Sequence, residues 1–151
     1  MSAPAMELAA AATALTLAAA VITDLRSRRI LNAITLPSLC VVLLCQLFAG
    51  GPPALVRALL GLLICAGPFF LANLAGWIGM GDVKLLAVVG AFLGPQAGAA
   101  AVFWVAIAGG AQAVLALAAA RLRGTAGPRY VPYACAIGAG SLLAFLFGLP
   151  G

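Results

Sequence analysis

Residues 6–29 read MELAAAATALTLAAAVITDLRSRR, an apolar run that closes on Asp24 and the arginines Arg26, Arg28 and Arg29. A run of about 20 apolar residues is what one helix needs to cross the hydrocarbon core of a bilayer. A signal peptide carries its positive charge ahead of the apolar stretch, whereas here the charge follows it. The segment therefore reads as a retained first span that enters with its N-terminus outside.

The rest of the chain has the same character. Over 151 residues, 66% are apolar and 7% are charged, with a mean hydropathy of +1.22. These values lie far outside the range of soluble globular proteins. The expected fold class is all-α integral membrane: six transmembrane helices, both termini outside, one polytopic domain over residues 1–151. Glycine, proline and charge divide the chain into apolar segments at 6–23, 33–49, 54–75, 83–95, 97–120 and 131–149. The fourth is short for a span, so it is tilted, starts below the interface, or extends back through GMGD, residues 79–82.

Lysine and arginine set the orientation, because cytoplasmic loops collect them. The first loop holds Arg26, Arg28 and Arg29, the third has Lys84 at its edge, and the fifth holds Arg121, Arg123 and Arg129. Of the eight cations in the chain, Arg57 alone falls on the opposite face. The odd-numbered loops are thus cytoplasmic, and the net charge of +5 suits contact with anionic headgroups. Nucleic-acid binding is not expected, since no basic stripe is interleaved with aromatics. Cys40, Cys45, Cys65 and Cys135 fall singly inside apolar runs and the chain has no histidine, so they read as small buried hydrophobes rather than metal ligands.

Three acidic side chains exist in all: Glu7, Asp24 and Asp82. In a six-span arrangement Asp24 closes the first span and Asp82 opens the fourth, which brings both to the cytoplasmic level. Charges at membrane depth are expensive and mark functional sites by default. Two plainer readings stand beside that one: Asp24 as a solvated partner of the neighbouring arginines, and Asp82 as a helix cap. Gly79 and Gly81 on either side of Met80 point beyond a cap, since glycine opens backbone turns closed to other residues and permits close approach of another chain.

Here the residues carry a resemblance. GMGDVKLLAVVGAFLG (79–94) resembles the GxGDxK signature of the type IV prepilin peptidases, membrane aspartic proteases that share a GxGD turn with presenilin. DLRSRRILNAITLP (24–37) resembles that family's first-loop segment, and PYACAIGAG (132–140) the Pro-Tyr start of its last span. The resemblance implies that Asp24 and Asp82 are the catalytic pair. It also implies that Gly79, Gly81, Lys84 and Asn32 support them, with Leu31 standing where the family usually has proline. The implied substrates are prepilin-like proteins, each with a short basic leader joined to an apolar helix in the bilayer. The larger members carry a cytoplasmic insert with paired cysteines between the first spans, linked to N-methylation of the product. This chain lacks it and is similar to the short members that serve tight-adherence or Flp-type pili. Cleavage at the cytoplasmic face of the inner membrane, with no cofactor or metal, is the expectation.

Other readings use the same carboxyls differently. In a small proton- or cation-coupled transporter, Asp24 and Asp82 would relay ions and Lys84 would pair with one of them. A non-catalytic pilus assembly protein would need neither. Asn73, near the GMGD turn, is a further candidate to support the site, and Gln46, Gln96 and Gln112 read as hydrogen-bonding residues between helices. Arg121, Arg123 and Arg129 read as topology anchors, and Trp77, Trp104, Tyr130 and Tyr133 as interface or packing aromatics.

The topology is testable by labelling. In a cysteine-free background, single cysteines near Arg28 or Arg123 should resist a membrane-impermeant thiol reagent added from outside, and one near Gly51 should react. The reverse pattern would invert the orientation and move both Asp away from the cytoplasm.

Overall fold

The computed structural model describes residues 3–27, 30–124 and 133–148, and every regular element among them is a helix. They are α1 (Ala3–Ser27), α2 (Asn32–Leu74), α3 (Met80–Leu122) and α4 (Tyr133–Phe147). α1, α2 and α3 are long and apolar enough to cross a membrane. Arg28, Arg29, Arg129 and Tyr130, and the ends of the expected sixth segment, lie outside the described residues.

α2 and α3 have 43 residues each, roughly 65 Å if straight and about twice a bilayer core. Neither is straight. Gly51 interrupts α2 with φ 68° and ψ −163°, and Pro52 and Pro53 follow it. Gly94 interrupts α3 with φ 75° and ψ −176°, and Pro95 follows. In both places a glycine takes the positive φ that side-chained residues resist. A proline, whose fixed φ and missing N–H suit a first helical position, then starts the next segment.

Contacts show that the chain folds back at each break. The Gln46 side-chain amide donates to the Ala91 and Phe92 carbonyls at 3.3 and 3.2 Å, while Gly61 presses on Gly90 and Gly94. Positions 46 and 61 would stand about 22 Å apart on a straight helix, too far for both to meet residues 90–94. Likewise Gly90 and Gly98 both approach Gly61 and Cys65, which a straight α3 would forbid. The described residues therefore form six helical segments; the break expected between 49 and 54 falls at Gly51, and the one expected between 95 and 97 comes earlier, at Gly94.

Both reversals sit at one end of the bundle. Met6, Gly50, Pro53, Arg57 and Gly94 line one cavity of about 310 Å³ there. The opposite end gathers the close of α1, the starts of α2, α3 and α4, and residues 75–79. From Met6 to Asp24 along α1 is about 27 Å, close to the thickness of a hydrocarbon core.

Two corrections to the expectations follow. The fourth segment begins at Met80, because the helix extends through GMGD. Cys45 and Cys65 are buried, but Cys40 lies on an exposed face.

Glycine makes the central packing possible. A Cβ on Gly61 would overlap the Gly90 carbonyl, and one on Gly90 would overlap the Gly61 carbonyl and stand 2.6 Å from the Cys65 Cβ. Small residues of this kind let helix backbones touch in a bilayer, where packing rather than water expulsion holds helices together. Overpacking a tight contact costs about 1–3 kcal/mol or more, so Gly61→Val and Gly90→Val should each lower the melting temperature in detergent by roughly 5–10 °C. Gly67→Ala, where a Cβ meets nothing within 4 Å, should leave it unchanged; equal shifts at all three positions would refute this account of the packing.

Candidate active site

Asp82 lies in the first turn of α3. Gly79 is the cap residue, with φ −73° and ψ 145°, and its backbone N–H donates to the Asp82 carboxylate. This is one arm of a capping box, in which the third helical residue reaches back to the cap. The capping interpretation is thus part of the answer for Asp82. The positive end of the helix dipole faces the carboxylate as well.

Asp24, in the last turn of α1, is 2% exposed. That burial takes the carboxyl out of bulk water. Its Oδ2 accepts a hydrogen bond from the Ala134 N–H at 3.3 Å, in the first turn of α4. A helix start has backbone N–H groups with no partner inside the helix, and the Asp24 carboxyl satisfies one of them from 110 residues away. Asp24 and Asp82 lie within reach of one another's charge. The fold has brought together two carboxyls that the sequence keeps 58 positions apart.

The supporting residues occupy the rim. Lys84 Nζ donates to Asn32 Oδ1 at 2.9 Å, tying the start of α3 to the start of α2. This is a different partner from the Asp that the transporter reading requires. Asn73 Nδ2 donates to the Ile78 carbonyl at 2.7 Å and so closes the connection between α2 and α3. The positive φ in that connection belongs to Gly76, at 77°, and not to either glycine of GMGD.

Gly79 and Gly81 thus serve by close approach rather than by unusual turns. A Cβ on Gly79 would stand 3.3 Å from Asp82 Oδ2, and one on Gly81 would stand 2.8 Å from the Ile30 Cβ. Ile30 in turn ties the α1–α2 connection to the first turn of α3.

Tyr133, which the sequence presents only as an interface or packing aromatic, begins α4 beside this site and lies within reach of the Asp82 charge. Its place in the Pro-Tyr stretch is the one signal the sequence offers. The outer edge of the site, residues 74–77 and 79–80, is exposed.

An apolar helical bundle that brings two carboxyls within reach of one another's charge at helix ends defines a class, the membrane protein with a paired acidic site. The chain belongs to the type IV leader peptidase family, whose sequence pattern matches residues 11–114. It is similar to a prepilin leader peptidase/N-methyltransferase of Bacillus subtilis (strain 168), with 42% identity over 87 residues. That alignment covers 55% of this chain and 34% of the relative, so the match spans about a third of the relative's length. No solved structure gives a significant match.

The convergence of the site can be checked by cross-linking. With the four native cysteines replaced, Ile30→Cys and Gly81→Cys place their Cβ atoms within about 1 Å of disulfide separation. They should form a bond under mild oxidation that joins two fragments cut between them. Persistently separate fragments would mean that the α1–α2 connection does not meet the start of α3.

Proposed function

We propose that this chain is a membrane aspartic endopeptidase that removes the short basic leader of prepilin-like proteins, with Asp24 and Asp82 as its catalytic pair. The observation that carries the proposal is the meeting of these two carboxyls at one end of an apolar bundle. Membership of the type IV leader peptidase family supports it, as does the name of the Bacillus subtilis relative.

The proposed arrangement in the membrane follows from the same geometry. The six helical segments are six spans of a single polytopic domain, with both termini outside. The end that carries the carboxyls faces the cytoplasm of the inner membrane, in keeping with the position of seven of the eight cations. A prepilin presents a basic leader at that surface and an apolar helix within the bilayer. The bond between them would arrive at the level of Asp24 and Asp82.

In the proposed reaction the pair works with one carboxyl ionised and the other protonated, the division of labour that paired carboxyls use in acid–base catalysis. The ionised member takes a proton from a water molecule, whose oxygen attacks the scissile carbonyl. The protonated member hydrogen-bonds that carbonyl as it becomes an oxyanion. Collapse of the tetrahedral intermediate breaks the C–N bond, and a carboxyl proton passes to the leaving amine. Lys84, Asn32, Gly79 and Gly81 hold the pair in place without taking part in proton transfer. The N-methyltransferase half of the relative's name is not carried over, because the insert associated with it is missing between the first spans.

Members of one catalytic unit are strongly non-additive. Asp24→Asn and Asp82→Asn, which keep shape and remove ionisation, should each reduce leader cleavage to below about 1% of wild type, and the double variant should be little worse. Lys84→Ala and Asn32→Ala should lose less, and Glu7→Gln should lose nothing. The measurement is cleavage of a prepilin by each purified variant, with membrane abundance checked by immunoblot. Near-normal cleavage by either Asn variant at normal abundance would overturn the mechanism.

A further inference from the structure

The first turn of α4 supplies a hydrogen bond to Asp24, so what fixes that turn bears on where the carboxyl sits. Its first residue is Tyr133. The phenol end of this side chain rests on Gly109, in the second half of α3, where a Cβ would stand 2.5 Å from the hydroxyl oxygen and from Cε2. Phe69 of α2 lies beside it, with ring centroids 6.2 Å apart and planes tilted by 55°. The remainder of α4 is held elsewhere. Gly140 lies against the backbone of Val105, and the Trp104 indole N–H donates to the Gly148 carbonyl at 2.7 Å.

We propose that Tyr133 is a positioning residue for the Asp24–Asp82 pair: its ring, seated between Gly109 and Phe69, sets the place of the first turn of α4 so that the Ala134 N–H meets the Asp24 carboxyl. The inference rests on the aspartic peptidase reading. The adjacency is direct, since Ala134 is the next residue and its N–H is 3.3 Å from Asp24 Oδ2. Without the ring, the first turn loses its own side-chain seat on α3, although Gly140 still holds the middle of the helix against Val105. With a methyl group added at position 109, the ring is pushed off its seat and the turn moves with it. Misplacing a reacting group by about 1 Å costs up to about 100-fold in rate. Substrate grip, which depends on other surfaces, is left alone.

The test is a double-mutant cycle on prepilin cleavage, with kcat and KM measured for wild type, Tyr133→Phe, Tyr133→Ala, Gly109→Ala and the Gly109→Ala/Tyr133→Ala pair. Tyr133→Phe keeps the ring and should stay within about threefold of wild type. Tyr133→Ala and Gly109→Ala should each lose about 10- to 100-fold in kcat, with KM changed by less than about twofold. On the Tyr133→Ala background the Gly109→Ala change should cost less than about threefold, because the clash is gone. If Tyr133→Ala fails to accumulate in the membrane, Tyr133→Leu with and without Gly109→Ala runs the same cycle. Normal kcat in the small side-chain variant, a loss carried in KM, or an equal cost of Gly109→Ala on both backgrounds would each overturn the inference. If wild type cleaves and Asp24→Asn does not, such an outcome removes the Tyr133 proposal alone. A wild type that cleaves no prepilin removes the peptidase reading and this inference with it.

Discussion

A carboxylate taken into an apolar bundle is costly unless hydrogen bonds meet its charge, and in this bundle both carboxyls of the candidate site find such bonds at the beginning of a helix. Asp82 takes the Gly79 N–H at the start of α3, and Asp24 takes the Ala134 N–H at the start of α4. Unpaired N–H groups and the positive end of the helix dipole are the strongest neutral partners a carboxylate has in a chain this poor in polar side chains. The requirement acts on the fold as well as on the charge. α3 and α4 must begin at one level, beside the end of α1, and the other contacts of the bundle are arranged so that they do.

Those other contacts are made largely by glycine. Gly61 against Gly90 brings the second half of α2 onto the first half of α3, and Gly140 against Val105 brings α4 onto the second half of α3. Each contact replaces side-chain packing with backbone packing, which is rigid and has one register. A bundle assembled from interchangeable leucines would tolerate sliding by a turn. Here a slide would drive a carbonyl into a Cα, and the carboxyl ends inherit that precision.

Much of this was legible in the chain. The Gly-Pro pairs at 51–52 and 94–95 join a residue that accepts positive φ to one that starts helices, and both reversals fall there. Asp24 and Asp82 stood out because acidic residues are so few. What was left open shows the limit of local reasoning. Gly79 and Gly81 offered either a turn or a close approach, and the sequence could not say that the property needed at Gly81 is room for Ile30, a residue about 50 positions away. Gly109 carried no signal at all, since its meaning is the phenol of Tyr133 resting on it. Propensity and periodicity report on neighbours along the chain, and a missing side chain that makes way for a distant one leaves no trace in either.

The two reversals at Gly51 and Gly94 also bear on how such a chain can change over time. Each is a single residue followed directly by proline, so one helix ends and the next begins with no loop between them. The connections from α1 to α2 and from α2 to α3 lie at the other end, and the second runs over residues 75–79 outside any helix. Growth by insertion therefore has its natural place at the end that carries the carboxyls, where a connecting loop already exists. Descendants of this architecture could gain new recognition surfaces next to the site without touching the bundle that holds it.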